Sequence, residues 1–275
     1  MNCKSKIKPP GFDFYVDCGQ CMPCRIRRKA EWATRLWYES EEWDNSSFLT
    51  LTFDNEHLPK NNSLLKETMP LFNKRLRMAL SKEGRNIKFM YNGEYGSTYN
   101  RAHHHGIYFG IDPIIDQDLI HDTWGQGKTE VTEATEDRMS YVAGYIIDKI
   151  TGDLSEEYYG GRLPPFARMS QGIGLNHAKK IREQLLEQGL VTRKGIKYKV
   201  PEYFKRKLEL DVSDGKLIAK EIRQEYDEYY KKKGWSYYDK QAVQHRKDEA
   251  MQVKINILAK SDQIKSKRGQ NDRAM

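Results

Sequence analysis

The stretch NIKFMYNGEYGSTYNRAHHHGIYFG, residues 86–110, decides how this chain folds. Its two ends are rich in apolar and aromatic residues and a glycine-marked polar segment separates them. That pattern predicts antiparallel strands over 86–95 and 103–110, joined by a loop over 97–101. Side chains alternate across a strand, so His103 and His105 share one face and His104 takes the other. The pairing lays Glu94 alongside the two histidines. A carboxylate with two imidazoles can hold a divalent ion and leave positions open for substrate and water, as a catalytic site requires. The plain alternative, for three of the seven histidines in a row, is a polar strand end that binds no metal. An affinity tag is excluded because the run is internal.

Elements on either side follow from periodicity. From Arg25 to about Trp43, Ile26, Ala30, Ala33, Leu36 and Trp37 recur at helical spacing, and Arg25, Arg27, Arg28, Lys29 and Arg35 make that helix basic. SSFLTLTF (46–53) reads as a buried strand ended by Asp54-Asn55. Residues 64–81 form a helix with KRLR (74–77) on its exposed side, and 115–123 and 136–150 are further helices. A loop over 152–168 carries Gly160-Gly161 and Pro164-Pro165, a helix covers 176–188, and LVTRKGIKYKV (190–200) is a hairpin turning at Lys194-Gly195. After Pro201, Lys, Glu, Asp, Tyr and Gln dominate and aliphatic residues are few, so 201–275 is expected to be a charged, solvent-exposed helical appendage with a flexible tail. No internal repeat is visible.

At 275 residues, with 38% hydrophobic and 11% aromatic content, the chain can bury a core, which excludes a disordered protein. Lys and Arg number 47 against 39 Asp and Glu, a formal charge of +8 that favours a polyanionic partner over an ordinary basic surface. No apolar run approaches the roughly 18 residues that span a bilayer. The amino terminus, MNCKSKIKPPG, lacks the apolar core of a signal peptide, so a cytosolic protein is expected, with no membrane partner.

All four cysteines, Cys3, Cys18, Cys21 and Cys24, fall in the first 24 residues, the last three as CGQCMPC. In a reducing cytosol such thiols are metal ligands more often than disulfides, and a two-residue spacer lets neighbouring sulfurs converge on one ion. Structural zinc, free buried thiols and an iron–sulfur cluster all stay open. Against zinc stands the spacing, in which three sulfurs come from one turn and the fourth is alone.

On a helix, Tyr141, Tyr145 and Lys149 of SYVAGYIIDKI (140–150) line one face at i, i+4 and i+8. Tyrosines so spaced are commonly half-buried core. The catalytic reading is a tyrosine hydroxyl that attacks a phosphodiester beside a metal-polarised phosphate, with Lys149 stabilising the phenolate or the phosphotyrosine.

FLTLTFD (48–54), GEYG (93–96), RAHHHGIYFG (101–110) and YVAGYIIDK (141–149), in that order, resemble the HUH rolling-circle replication initiators. DCGQCMPCR (17–25), the tryptophan-bearing helix after it and MSQGIG (169–174) narrow the resemblance to the initiators of gokushovirus-like microviruses, over roughly residues 1–200. The resemblance implies an α+β HUH endonuclease fold, a central antiparallel sheet of ferredoxin-like or RNA-recognition-like type. It places Mg²⁺ or Mn²⁺ on Glu94, His103 and His105, and the nucleophiles on Tyr141 and Tyr145 with Lys149 as the associated base. It implies action on single-stranded and origin DNA in the cytoplasm of a bacterial host, alongside host helicase and polymerase. The middle motif position is generally bulky and apolar but here is His104, either neutral and hydrogen-bonded beneath the sheet or a ligand in an alternative register.

The expected organisation is a cysteine-containing segment and basic helix over 1–45, a catalytic domain over 46–200 and the appendage over 201–275. Arg25, Arg27, Arg28, Lys74, Arg75 and Arg77 are candidate contacts to DNA phosphates. Two other classes compete. One is a non-catalytic single-stranded nucleic-acid binder that stacks bases on Tyr91, Tyr95, Tyr108 and Phe109. The other is a zinc-organised structural or regulatory protein.

Overall fold

The computed structural model describes Cys3, residues 5–96, 99–145, 159–193 and 196–212, and a few residues from Gln224 to Gly234. Lys149 and most of the expected appendage lie outside the described residues. The first of two compact units comprises the chain to Gly96, Asn100–Arg182 and Pro201–Glu209. It contains α1 (Met22–Ser40), β1 (Ser46–Thr52), α2 (Thr68–Ser81), β2 (Lys88–Tyr95), β3 (Ala102–Phe109), α3 (Gln117–Trp124), β4 (Thr129–Glu133), α4 (Glu136–Gly144), β5 (Phe166–Met169) and α5 (Leu175–Lys180).

The strands form one antiparallel sheet in the order β4-β1-β3-β2-β5. The run β1-α2-β2-β3-α3-β4 with order 4-1-3-2 is the ferredoxin-like split βαβ arrangement, and β5 adds an edge beyond β2. The α+β architecture with a central antiparallel sheet, expected of the HUH fold, is therefore present. β4 and β5 were not anticipated in the sequence: both are short edge strands.

Alternation along the strands gives the sheet two buried faces. Leu49, Leu51, Phe53, Phe89, Tyr91 and Tyr108 pack against Phe72, Leu76 and Leu80 of α2 and Ile120 and Trp124 of α3. Phe48, Met90, Ile107 and Phe109 pack on the other side against Ala33 and Leu36 of α1 and Met139, Val142 and Ala143 of α4. Tyr91, Tyr108 and Phe109 are thus core residues, and Tyr95 is occupied by the Leu163 carbonyl and the Arg162 guanidinium. The base-stacking role expected for these four has no open sheet face to use, because helices cover both sides.

Local differences from the periodic pattern have local causes. α2 starts at Thr68 rather than 64, with Pro70 confined to its first turn, where no helical N–H bond is lost. The helix expected over 176–188 breaks at Ile181 (φ −104°, ψ 22°) into α5 and α6 (Arg182–Gln188). The composition change at Pro201 does not end the first unit: in α7 (Glu202–Leu208), Phe204 is fully buried and stacks on Tyr38 at 5.5 Å. In the second unit, the expected hairpin is β6 (Leu190–Arg193) paired with β7 (Ile196–Lys199), its turn outside the described residues.

Candidate active site

β2 and β3 pair in a register that sets Glu94 directly opposite His103 and Asn92 opposite His105. The period of two then aims Glu94, His103 and His105 at the face covered by α1 and α4. His103 Nε2 lies 2.8 Å and His105 Nε2 2.9 Å from the same Glu94 oxygen, Oε1. The three donor atoms lie within 4.8 Å of one another.

The remaining ring nitrogens are held from behind. His103 Nδ1 is 3.0 Å from the Arg101 carbonyl. A carbonyl only accepts, so Nδ1 carries the proton and the neutral ring turns its Nε2 lone pair toward Glu94. His105 Nδ1 is 3.0 Å from Thr50 Oγ1, supplied by the facing position of β1. Arg101 is itself fixed by donating to the Phe53 carbonyl. This is the arrangement a metal site needs, two imidazoles with their outer nitrogens engaged and a buried carboxylate between. The donor set fits a divalent cation.

Burial is the largest single influence on Glu94 and would raise its pKa. The hydrogen bonds and charges of His103 and His105 together override it and hold the carboxyl well below the usual range. The triad therefore keeps its carboxylate ionised.

His104 points to the opposite face and is fully buried among Phe53, Trp124 and Phe166, at ring distances of 6.0, 6.2 and 6.4 Å. Burial pushes its pKa down to about 3, against a weak opposing contribution from the Asn92 backbone. It is neutral, as expected, but not hydrogen-bonded as expected: neither ring nitrogen reaches a bond of normal geometry among the described residues. The alternative register with His104 as ligand fails because the sheet lies between it and Glu94. Gly93, its cross-strand partner, leaves it room: a Cβ there would sit 3.0 Å from Leu64 and 3.3 Å from the imidazole.

α4 begins at Thr135, whose hydroxyl accepts from the Arg138 N–H, and Glu136 and Asp137 complement the positive end of its dipole. The helix packs Val142 and Ala143 on the sheet and brings both tyrosines to the triad. The His105 ring is 5.9 Å from that of Tyr141 and 6.3 Å from that of Tyr145. The two tyrosine rings meet edge to face at 4.8 Å, and their hydroxyls hydrogen-bond to each other.

Asn92, Thr50, Lys29 and Arg138 were missed in the sequence. Asn92 Nδ2 donates to the Val142 carbonyl at 2.9 Å, tying α4 to β2. The Lys29 ammonium of α1 stands by the carboxyl-terminal end of α4, 3.4 Å from where a Cβ on Gly144 would be. Arg138, on the tyrosine face at i−3 from Tyr141, lies over Phe48 at 5.7 Å. The signal for Asn92 and Thr50 was their even spacing from Glu94 and within FLTLTF; for Arg138 it was helical spacing.

The candidate DNA contacts are spread over the unit. Arg28 is exposed on α1, whereas Arg27 is engaged with Asp17 at 2.5 Å. Arg75 donates to the Thr123 carbonyl at the end of α3, and Arg77 lies over Phe89 at 5.0 Å. Lys74, Arg75 and Arg77 belong to α2, on the side of the sheet away from the triad. The four cysteines meet, with all sulfurs within 4.8 Å of one another.

A ferredoxin-like sheet with a glutamate–histidine–histidine triad beneath a tyrosine-bearing helix places the chain in the HUH class of α+β proteins. The family model for the replication-associated protein ORF2 matches residues 46–150. Replication-associated protein VP4 of Bdellovibrio phage phiMH2K is 32% identical over 223 residues, 72% of this chain and 69% of that one. Replication-associated protein ORF2 of Spiroplasma virus 4 is 31% identical, with coverage of 72% and 69%. Replication-associated protein ORF4 of Chlamydia phage 1 is 31% identical, over 74% of this chain and 56% of its own length. No solved structure matches. The chain belongs to this family of phage replication-associated proteins, as a gokushovirus-like replication initiator.

Proposed function

We propose that the chain nicks and rejoins origin DNA through a tyrosine nucleophile in rolling-circle replication. The observation that carries this reading is the approach of Tyr141 and Tyr145 to within 5.9 and 6.3 Å of the His105 ring, which itself belongs to the triad.

Glu94, His103 and His105 would hold Mg²⁺ or Mn²⁺, which supplies Lewis-acid polarisation of the scissile phosphate and neutralises charge developing on its oxygens. One tyrosine oxygen attacks phosphorus, the P–O3′ bond breaks, and the products are a 5′-phosphotyrosine and a free 3′-hydroxyl. The mutual hydrogen bond of the two hydroxyls gives the attacking one an immediate place for its proton. After a host polymerase and helicase have replicated the circle, the second tyrosine cleaves the regenerated origin, and the freed 3′-hydroxyl attacks the first phosphotyrosine to close the strand. Arg138 and Lys29 flank the tyrosines with positive charge, the role expected of Lys149. Arg25 and Arg28 of α1 would contact the DNA backbone, whereas Arg27 is engaged with Asp17, and Lys74, Arg75 and Arg77 are better suited to a distal segment of DNA.

The test is to incubate the protein with labelled single-stranded origin DNA and Mn²⁺, denature, and look for DNA-linked protein. An adduct that forms only with the divalent cation supports the reading. DNA binding with no adduct on any origin strand overturns it in favour of a non-catalytic binder.

A further inference from the structure

The amino-terminal segment has almost nothing apolar to hold it. Phe12, Phe14 and Tyr15 are each more than half exposed, as is Ile7. Its regular pairing is a single antiparallel bridge, in which the Ile7 and Val16 backbones exchange hydrogen bonds of 3.0 and 2.9 Å. That bridge folds the chain back so that Cys3, before it, meets Cys18, after it. The spacing that left Cys3 alone in the sequence is closed by this turn. Cys21 is the N-cap of α1, and Cys24 lies buried in its first turn, after Pro23.

The sulfur geometry selects among the uses of four thiols. Cys3 Sγ is 3.6 Å from Cys18 Sγ and 3.8 Å from Cys21 Sγ, and Cys21 Sγ is 3.4 Å from Cys24 Sγ. A disulfide would need about 2.05 Å, and all four cysteines are free. Four sulfurs at about 2.3 Å from one tetrahedral ion are separated by about 3.8 Å, the separation found here. An iron–sulfur cluster has several metal atoms inside its ring of cysteines and would spread the sulfurs further apart than the 4.8 Å that contains them all.

The surroundings suit thiolates. The Cys18 N–H points at Cys3 Sγ and the Cys21 N–H at Cys18 Sγ, both at 3.3 Å. The Arg27 guanidinium is 3.6 Å from Cys24 Sγ. Four thiolates on a divalent ion carry a net charge of −2, and these donors face it.

We propose that Cys3, Cys18, Cys21 and Cys24 form a mononuclear four-thiolate zinc site that fastens the amino-terminal hairpin to the first turn of α1. Sulfur ligands in tetrahedral array select zinc among the abundant divalent ions, and the ion replaces the core that this segment lacks. The site is separate from the triad of Glu94, His103 and His105, so its failure would leave the nickase reading standing.

The experiment counts metal on the full chain and separates the two sites. A His103→Ala/His105→Ala variant, purified without chelator, should retain about one zinc per chain by elemental analysis, and Cys18→Ser or Cys21→Ser in that background should lose it. Cobalt loading of the same histidine variant should give intense thiolate-to-cobalt charge-transfer absorption, which nitrogen and oxygen ligands do not produce. Should the serine variants fail to fold, the unsubstituted protein decides: its four thiols should resist a disulfide reagent until a chelator is added, then all react. Thiols that react equally without chelator, iron in place of zinc, or zinc lost with the histidines and kept with the serines would each overturn the proposal.

Discussion

Asn92 Nδ2 donates to the Val142 carbonyl at 2.9 Å, so the strand that carries Glu94 holds the helix that carries Tyr141 and Tyr145. Both partners are buried, and the bond is the polar contact that fixes α4 over the triad. Asn92→Ala should cost about 1–2 kcal/mol by leaving the carbonyl unpaired. The cleavage rate should fall far more than Mn²⁺ affinity, because the helix loses its register while the ligands stay on their strands. Thermal unfolding, metal titration and adduct formation measured together check this; unchanged cleavage at lowered stability would show that the bond only stabilises.

Thr50 orients His105 through a 3.0 Å contact to Nδ1. Thr50→Val keeps the shape and removes the hydroxyl, and metal affinity is expected to drop about 10–100-fold, as for other groups that orient a ligand from behind. Thr50→Ser should restore most of it. Calorimetric titration with Mn²⁺ measures both; equal affinities for Val and wild type would remove Thr50 from the site.

His104 is a buried, neutral imidazole with no hydrogen bond of normal geometry among the described residues. An apolar side chain of similar size avoids that cost. His104→Leu should raise stability by about 1 kcal/mol or leave it unchanged, with Mn²⁺ affinity intact. Loss of metal binding would show that the ligand register is not the one the strand pairing defines.

Glu42 follows α1 and pairs with His177 and Lys180 of α5, at 3.3 and 2.7 Å. Burial opposes its ionisation, but the Lys180 and His177 contacts outweigh it and lower its pKa from the usual 4.5. A lowered carboxylate stabilises the fold above its unfolded pKa and loses that contribution as pH falls through the folded value. Glu42→Gln should therefore destabilise at pH 7, by about 1 kcal/mol or less given that Lys180 is two-thirds exposed. The difference should shrink as pH falls below about 4.5. A difference independent of pH in denaturant unfolding would contradict the assignment.

The hairpin and its ligands were legible because their signals are local. Alternation in residues 86–110 is enough to put His103 and His105 on one face and Glu94 across from them, and i, i+4 spacing is enough to pair the tyrosines. What stayed hidden depends on contacts distant in sequence. TEVTE (129–133) and FARM (166–169) have little apolar content and become strands only by pairing with β1 and β2. Thr50 and Asn92 look like ordinary polar strand residues until β1, β3 and α4 are assembled around them. Cys3 joins the other cysteines only through the Ile7–Val16 bridge.

The central claim is that Tyr141 or Tyr145 becomes covalently joined to DNA beside the triad. Tyr141→Phe/Tyr145→Phe removes only two hydroxyls and leaves the rings packed on His105, so folding and origin binding should persist. Incubated with labelled single-stranded origin DNA and Mn²⁺, wild type should give a DNA-linked band that survives denaturation, and the double variant should give none. A band of undiminished strength from the double variant would contradict the claim.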